Sequence, residues 1–250
     1  MPYGLYISAE GAYSQSKRME VLSNNLANVD TPAFKRDLAV FQARFAEETS
    51  RGQDRPGSGS INDVGGGVWM SGTITDFSQG TLKTTNHPTD VAINGDGFFV
   101  IDQHGKPYLT RAGNFMVNDL GELITQSGDH VMSEEDTPLV INPDTPWRIS
   151  PDGALEQDGD KTFLKMVQPR HLSDMVKQGE NMYRSLGPVE PLEEEARHVV
   201  SGHLEMSGVR PTLEMLDLIE TSRVFEANIT MIRNHDSMLN SLVNRVLRQS

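Results

Sequence analysis

Cysteine is absent from the 250 residues, which excludes disulfides, thiolate metal sites and cysteine nucleophiles and leaves both oxidising and reducing compartments open. Aromatic residues make up only 6% and hydrophobic residues 36%, on the low side for a compact enzyme. A mean hydropathy of -0.44 implies that part of the chain finds its buried surface only in an assembly. Positive charge is scarce, with 22 Lys and Arg against 35 Asp and Glu. The net charge of -13 repels phosphate backbones and anionic lipid, so nucleic acid is not an expected partner. No apolar run approaches the ~20 residues that span a bilayer, so membrane insertion is not expected. The opening MPYGLYISAEGAYSQSKRME also lacks the basic and apolar regions of a cleaved secretory signal. Export, if it occurs, is expected by another route.

What is present is periodic at both ends. Leu5, Ala12, Met19 and Leu26 recur every seven residues, with Ala9 and Leu22 on the same stripe, which predicts a helix with one narrow apolar face. Leu218, Phe225, Ile232, Leu239 and Val246 repeat the device, flanked by Ile229 and Val243. This second helix is expected to start near Pro211, where a missing N–H costs nothing, and to run to Leu247. A seam this narrow buries little on a lone helix and requires a partner, either the other terminal helix or other subunits. Ser222 and Asp236 interrupt its flank.

Between the helices the pattern changes. The Gly-, Ser- and Asp-rich stretch from Ser50 to Gly67 reads as a linker. Short segments rich in β-branched and aromatic residues follow, punctuated by glycines at 80, 95, 97, 105, 113, 121 and 128, and read as strands and tight turns. The fold class is therefore α+β, with N- and C-terminal helices as a coiled-coil stalk bracketing a mainly antiparallel β domain. The expected division is 1-36 for the first helix and its closing loop, 37-70 for a linker, 71-200 for the β domain and 201-250 for the last helix.

No constellation supports catalysis, and no cofactor or metal is expected. Gly95-Asp96-Gly97 precedes an apolar run that reads as a strand, whereas a phosphate loop needs a helix there. His198 and His203, five apart, share no helix face. Asp152-Gly153, Asp158-Gly159 and Asp160 lack calcium-loop spacing and fit hairpin turns. Gly57-Ser58-Gly59 lies in the linker, and Glu193-Glu194-Glu195 reads as a solvated face.

Asn24 to Arg36, NNLANVDTPAFKR, closely resembles the segment that closes the N-terminal helix of bacterial flagellar rod and hook proteins. Three further stretches are similar to that family: FSQGTLKTTNHPTDVAINGDGFFVI from Phe77, YLTRAGNFMVNDLGELIT from Tyr108 and GHLEMSGVRPTLEMLDLIETSRVFEANITMI from Gly202. The length and the block from Gln79 to Phe99 resemble the rod proteins of proximal or distal type more than the longer hook protein.

The resemblance implies a structural rod subunit of the flagellar basal body, not an enzyme. It implies a tubular assembly in which terminal helices form an inner coiled-coil layer and the β domain an outer wall. Implied partners are the chain itself, other rod and hook subunits and the flagellar type III export apparatus, with export not requiring signal cleavage. The implied location is the rod crossing the periplasm. The expected interface comprises Leu5, Ala12, Met19, Leu22 and Leu26, the loop residues Asn28, Thr31, Phe34 and Lys35, and Leu218, Phe225, Ile232, Leu239 and Val246.

Two departures from the family pattern are informative. Ala33 stands where the family usually has Gly, and Gly208 where Asn is usual. If position 33 demands positive φ, Ala is penalised there; Gly208 keeps the backbone freedom of Asn. His87-Pro88-Thr89 also differs, with no functional meaning assigned. A competing reading is a carbohydrate-binding or adhesin-like β module on a stalk, marked by exposed aromatics in the β domain. A glycan hydrolase would need two carboxylates facing across a cleft.

Overall fold

The computed structural model describes residues 3–44, 51–52, 55 and 65–247, and the chain divides into two compact units. Most of the expected linker from Ser50 to Gly67, with Gly57-Ser58-Gly59, lies outside the described residues.

The first unit comprises residues 1–27, 37–76 and 210–250. Helix α1 spans Tyr3–Ala27 and helix α2 Pro211–Leu247. The proline-led start and seven-residue periodicity set α2 as expected, and Arg210 O accepts from the N–H groups of both Leu213 and Glu214 at its first turn. Residues 37–70 were expected to be a linker, but strand β1 (Asp37–Ala43) lies there and pairs antiparallel with β2 (Val68–Thr75), the first of the segments read as strands, with an irregularity between Val40 and Phe41. A two-stranded ribbon is marginal alone. This one rests on α1, where Ser14 Oγ donates to Val68 O at 2.6 Å and Arg44 Nη1 to the Tyr6 hydroxyl at 3.0 Å.

The second unit comprises residues 28–36 and 77–209. Its centre is β5 (Phe98–Gln103), whose run Phe98-Phe99-Val100-Ile101 is buried throughout. A continuous apolar run of this length is the pattern of a strand covered on both faces. Phe99 and Ile101 enter one core with Val91, Phe115, Leu123 and Leu139, while Phe98 and Val100 enter a second with Leu109, Val167 and Tyr183. Edge-to-face rings, Phe99 with Phe115 at 5.4 Å and Phe77 with Tyr183 at 5.2 Å, order the two sides.

Around β5 run β6 (Lys106–Thr110), β7 (Met116–Val117), β8 (Leu123–Ile124), β9 (His130–Val131), β13 (Met166–Pro169), β14 (Met175–Gly179), β15 (Met182–Ser185) and β16 (Val189–Pro191). With β5 they make one antiparallel sheet, in the order β14-β15-β6-β5-β9-β8-β7, with β13 joining β5 to β16. A separate three-stranded sheet holds β10 (Trp147–Ile149), β11 (Ala154–Gln157) and β12 (Asp160–Phe163).

The chain closes on itself before it leaves this unit. Strand β17 (Val199–Ser201) pairs with β4 (Val91–Ile93), and β18 (His203–Glu205) pairs with β3 (Leu82–Thr84). These ladders correct the boundary expected at 200, because the chain stays in the β unit through Val209. Residues 28–36, expected to group with the first helix, likewise belong to the β unit.

Candidate functional site

The helix pair of the first unit is antiparallel and its register can be read from three contacts. A Cβ at Gly4 would lie 3.0 Å from His235 Nε2, one at Gly11 would lie 3.2 Å from Asn228 Oδ1, and Asn25 Nδ2 is 3.4 Å from Glu214 Oε2. One helix climbs by multiples of seven as the other descends by the same steps. The small residues Gly4 and Gly11 let the helices approach where the partner carries a polar side chain.

Of the seam residues expected from sequence, Ala12 and Leu22 are buried, while Leu5, Met19, Leu26, Leu218, Phe225 and Ile232 are half-buried. Ala9, assigned to the same stripe, is exposed. Leu239 is 36% exposed, and Val246 lies on α2 with its side chain outside the described residues.

The apolar count missed a second row. Glu214, Thr221, Asn228 and His235 recur every seven residues on α2; Glu214 and Thr221 are buried and Asn228 and His235 half-buried. Asn25, 1% exposed, is the hub on α1: its side chain donates to Asp37 O and accepts from Asp37 N, both at 2.9 Å, while it reaches Glu214. Polar groups in a helix seam fix register, because every other alignment leaves them buried without partners. The heptad spacing of these four polar residues was the available signal.

The loop that follows α1 is built into the β unit. Asn28 and Thr31 are half-buried and bonded to one another, with Thr31 N donating to Asn28 O at 3.2 Å. Ala33 has φ 56, is 1% exposed and donates its N–H to Glu205 O at 2.8 Å. Asn181 Nδ2 caps Pro32 O at 2.8 Å, and Lys177 Nζ donates to Lys35 O at 2.6 Å while standing 4.5 Å above the Phe34 ring. The hairpin of β14 and β15 therefore clasps the loop.

Lys35 and Glu205 are each 1% exposed and form an ion pair at 2.6 Å. Lys35 Nζ also donates to Ser78 O at 2.8 Å, and Gly80 N donates to Glu205 Oε1 at 2.8 Å. Arg111 Nη1 lies 3.6 Å from the other Glu205 oxygen, and Arg111 Nη2 donates to Gly95 O at 2.7 Å. Burial pulls the Arg111 guanidinium below its ordinary pKa, with the Glu205 carboxylate acting the other way. Gly80 is required here, since a Cβ would sit 2.0 Å from Met206 O.

Phe34 and Lys35 were expected at an intersubunit contact. The structure corrects this: both are enclosed by their own chain, since a lysine in the interior needs a carboxylate and Glu205 supplies it.

Other candidates resolve as ordinary structure. Gly95 and Gly97 take φ 122 and 120 in the turn before β5. His203 Nε2 lies 2.9 Å from Thr84 Oγ1, and no group of three or more potential metal ligands occurs among the described residues. Asp152 sits in the turn between β10 and β11, where bonding from the Ser150 hydroxyl holds its carboxyl below the usual range. Glu193 and Glu195 are exposed. Among the described residues no helix is long and apolar enough to cross a membrane.

A helix pair made from the two ends of the chain, with an antiparallel β unit between them in sequence, defines a structural subunit of the α+β class. Residues 5–35 match the flagella basal body rod protein family, 92–157 the flagellar hook protein FlgE/F/G D1 domain, and 200–245 the flagellar basal body rod FlgEFG protein C-terminal family. The flagellar basal-body rod protein FlgF of Caulobacter vibrioides is 30% identical over 249 residues, covering 98% of each chain. The rod protein FlgG of Buchnera aphidicola is 32% identical over 260 residues, covering 95% of this chain and 97% of its own, and FlgG of Bacillus subtilis is 30% identical over 260, covering 96% and 97%. The chain belongs to the flagellar basal-body rod proteins. It is a structural subunit of the basal-body rod.

Proposed function

We propose that this subunit polymerises into the axial drive shaft through faces of α1 and α2 that remain open once the two helices have paired. The carrying observation is the length mismatch in that pair. In the register above, Tyr3 stands opposite Asp236, so the last turns of α2 run past the start of α1. There Met238, Leu242 and Val243 are 63%, 58% and 55% exposed. Leu216 and Ile219, near the other end, are exposed as well. Apolar side chains in such continuous rows point to helical neighbours.

The inner seam of Leu5, Ala12, Met19, Leu22, Leu26, Leu218, Phe225 and Ile232 builds the stem, and Leu239 and Val246 extend it towards neighbours. Asn28 and Thr31 present the outer side of the loop, while Phe34 and Lys35 hold its seat. The β unit forms the outer wall. Subunits leave the cytoplasm through the flagellar type III export apparatus without signal cleavage, and the rod they build crosses the periplasm. The chain works by assembly with itself and other rod and hook subunits, and performs no catalysis.

The chain fits the FlgF type. Alignment to the Caulobacter FlgF covers 98% of the chain in 249 positions, whereas 260 positions cover only 95% against a Buchnera FlgG, so that FlgG carries extra residues. The carbohydrate-binding alternative is not favoured, since Phe98, Phe99 and Phe115 are buried and Tyr108 and Trp147 pack against the core, while Trp69, 44% exposed, stands on β2 of the first unit and not in the β unit. The test is Leu239→Asp with Leu242→Asp: the variant is expected to be exported and folded in its β unit yet absent from purified basal bodies. Incorporation at the normal level overturns the reading.

A further inference from the structure

Beside the α1-facing row of Glu214, Thr221, Asn228 and His235, on the flank of the seam, α2 carries another seven-residue row, Asp217, Val224, Met231, Met238 and Arg245. Val224, Met231 and Met238 are 41%, 54% and 63% exposed, Arg245 is exposed and Asp217 half-exposed. The row is symmetric about its middle. An acid opens it, a base closes it, and three apolar residues lie between.

We propose that two copies of this chain pair in solution through this row, with their α2 helices antiparallel and a two-fold axis at Met231. In that alignment Met231 meets Met231, Val224 of each copy meets Met238 of the other, and Asp217 of each faces Arg245 of the other. The charges lie roughly 42 Å apart along the helix at 1.5 Å per residue, so both ion pairs form only when the helices run nearly antiparallel with this register. A parallel in-register pairing would instead set Asp217 against Asp217 and Arg245 against Arg245, and like charges face to face oppose association.

An isologous contact of this kind closes at two copies. A filament whose subunits all point one way cannot contain it, so the pair is a state of the soluble chain. It covers this apolar row in the free subunit. The inference goes beyond the assembly reading, and neither depends on the other.

The absence of cysteine makes the test clean. Met231→Cys in the full chain is expected to cross-link to a dimer on mild oxidation, because two-fold symmetry brings the two sulfurs together. Val224→Cys alone and Met238→Cys alone are expected to stay monomeric on denaturing gels, while a mixture of the two cross-links. Equal cross-linking of all three single variants would show a parallel pair, and no cross-link at position 231 would show no such pair; either overturns the proposal. Asp217→Arg is expected to weaken dimerisation in sedimentation by about tenfold, and adding Arg245→Asp in the same chain to restore it. If the double variant is no tighter than the single one, the register is wrong.

Discussion

Ala33 carries the clearest residue-scale consequence. An L-residue with φ 56 costs roughly 1–2 kcal/mol, and glycine would return that at an entropic cost of about 0.5–1 kcal/mol. Ala33→Gly is therefore expected to stabilise the β unit by up to about 1 kcal/mol in chemical denaturation; a loss of stability would show that the methyl group's burial outweighs its strain. The sequence raised the question of positive φ, because Ala33 stands where the resemblance placed glycine, but left it open; the structure answers it. The seat of the loop was not legible, since Lys177 and Glu205, which hold Lys35, lie 142 and 170 residues from it along the chain. Lys35 was expected at an interface because its buried partner, Glu205, lies 170 residues away along the chain. Its burial gives a second expectation: Lys35→Met leaves Glu205 poorly compensated and should cost about 3 kcal/mol. Adding Glu205→Gln, which keeps an acceptor for Gly80 N, should recover part of that loss. If the two changes merely add in a double-mutant cycle, the pair is not coupled.

At the scale of elements, heptad counting located both helices and gave α2 from Pro211 to Leu247. It could not give the alignment, because apolar side chains slide past one another with little penalty, and the register is marked instead by the Asn25–Glu214 contact and by the close approach of Gly4 to His235 and of Gly11 to Asn228. Gly11 is the sensitive point. Gly11→Leu would drive a branched side chain into Asn228, whose amide is already 3.2 Å from where a Cβ would stand, and should cost about 1–3 kcal/mol. Faster amide exchange along α1, with the β unit unchanged, would report it. Strand β1 escaped the sequence reading because its support comes from α1 and not from its own composition. The small sheet of β10 to β12 gives a pH expectation. Bonding from Ser150 holds the Asp152 carboxyl low, and bonding from Lys161 and Arg148 does the same for Glu156. Carboxyls with depressed folded values contribute stability that is present above the ordinary carboxylate pKa and lost as pH falls through the folded values. The melting temperature of the β unit should therefore fall below about pH 4. Ser150→Ala should shallow that fall, and an unchanged slope would remove Asp152 from the account.

For the whole molecule, the acidity noted in the sequence is not spread evenly. Helix α1 carries Lys17 and Arg18 against Glu10 and Glu20 and is balanced, so the net charge of -13 resides elsewhere. Helix α2 carries Arg223, Arg233 and Arg245 against Glu214, Asp217, Glu220, Glu226 and Asp236, a net of -2, so the helix pair is weakly charged and tolerates close packing of many copies better than a stem with the charge of the rest would. Helix, β region and helix were all visible in the sequence, since periodicity changes from seven to two and back. The closing ladders of β17 with β4 and β18 with β3 were not, because pairing between distant strands leaves no local trace. The measurement closest to the central claim is electron microscopy of basal bodies from a strain lacking this chain, complemented with either the natural chain or Ile232→Asp. The natural chain should restore a rod that otherwise stops at a defined point. The variant, with a charge in the helix seam and an intact β unit, should not. Complete rods built with Ile232→Asp, or complete rods without the chain at all, would contradict assembly through the terminal helices.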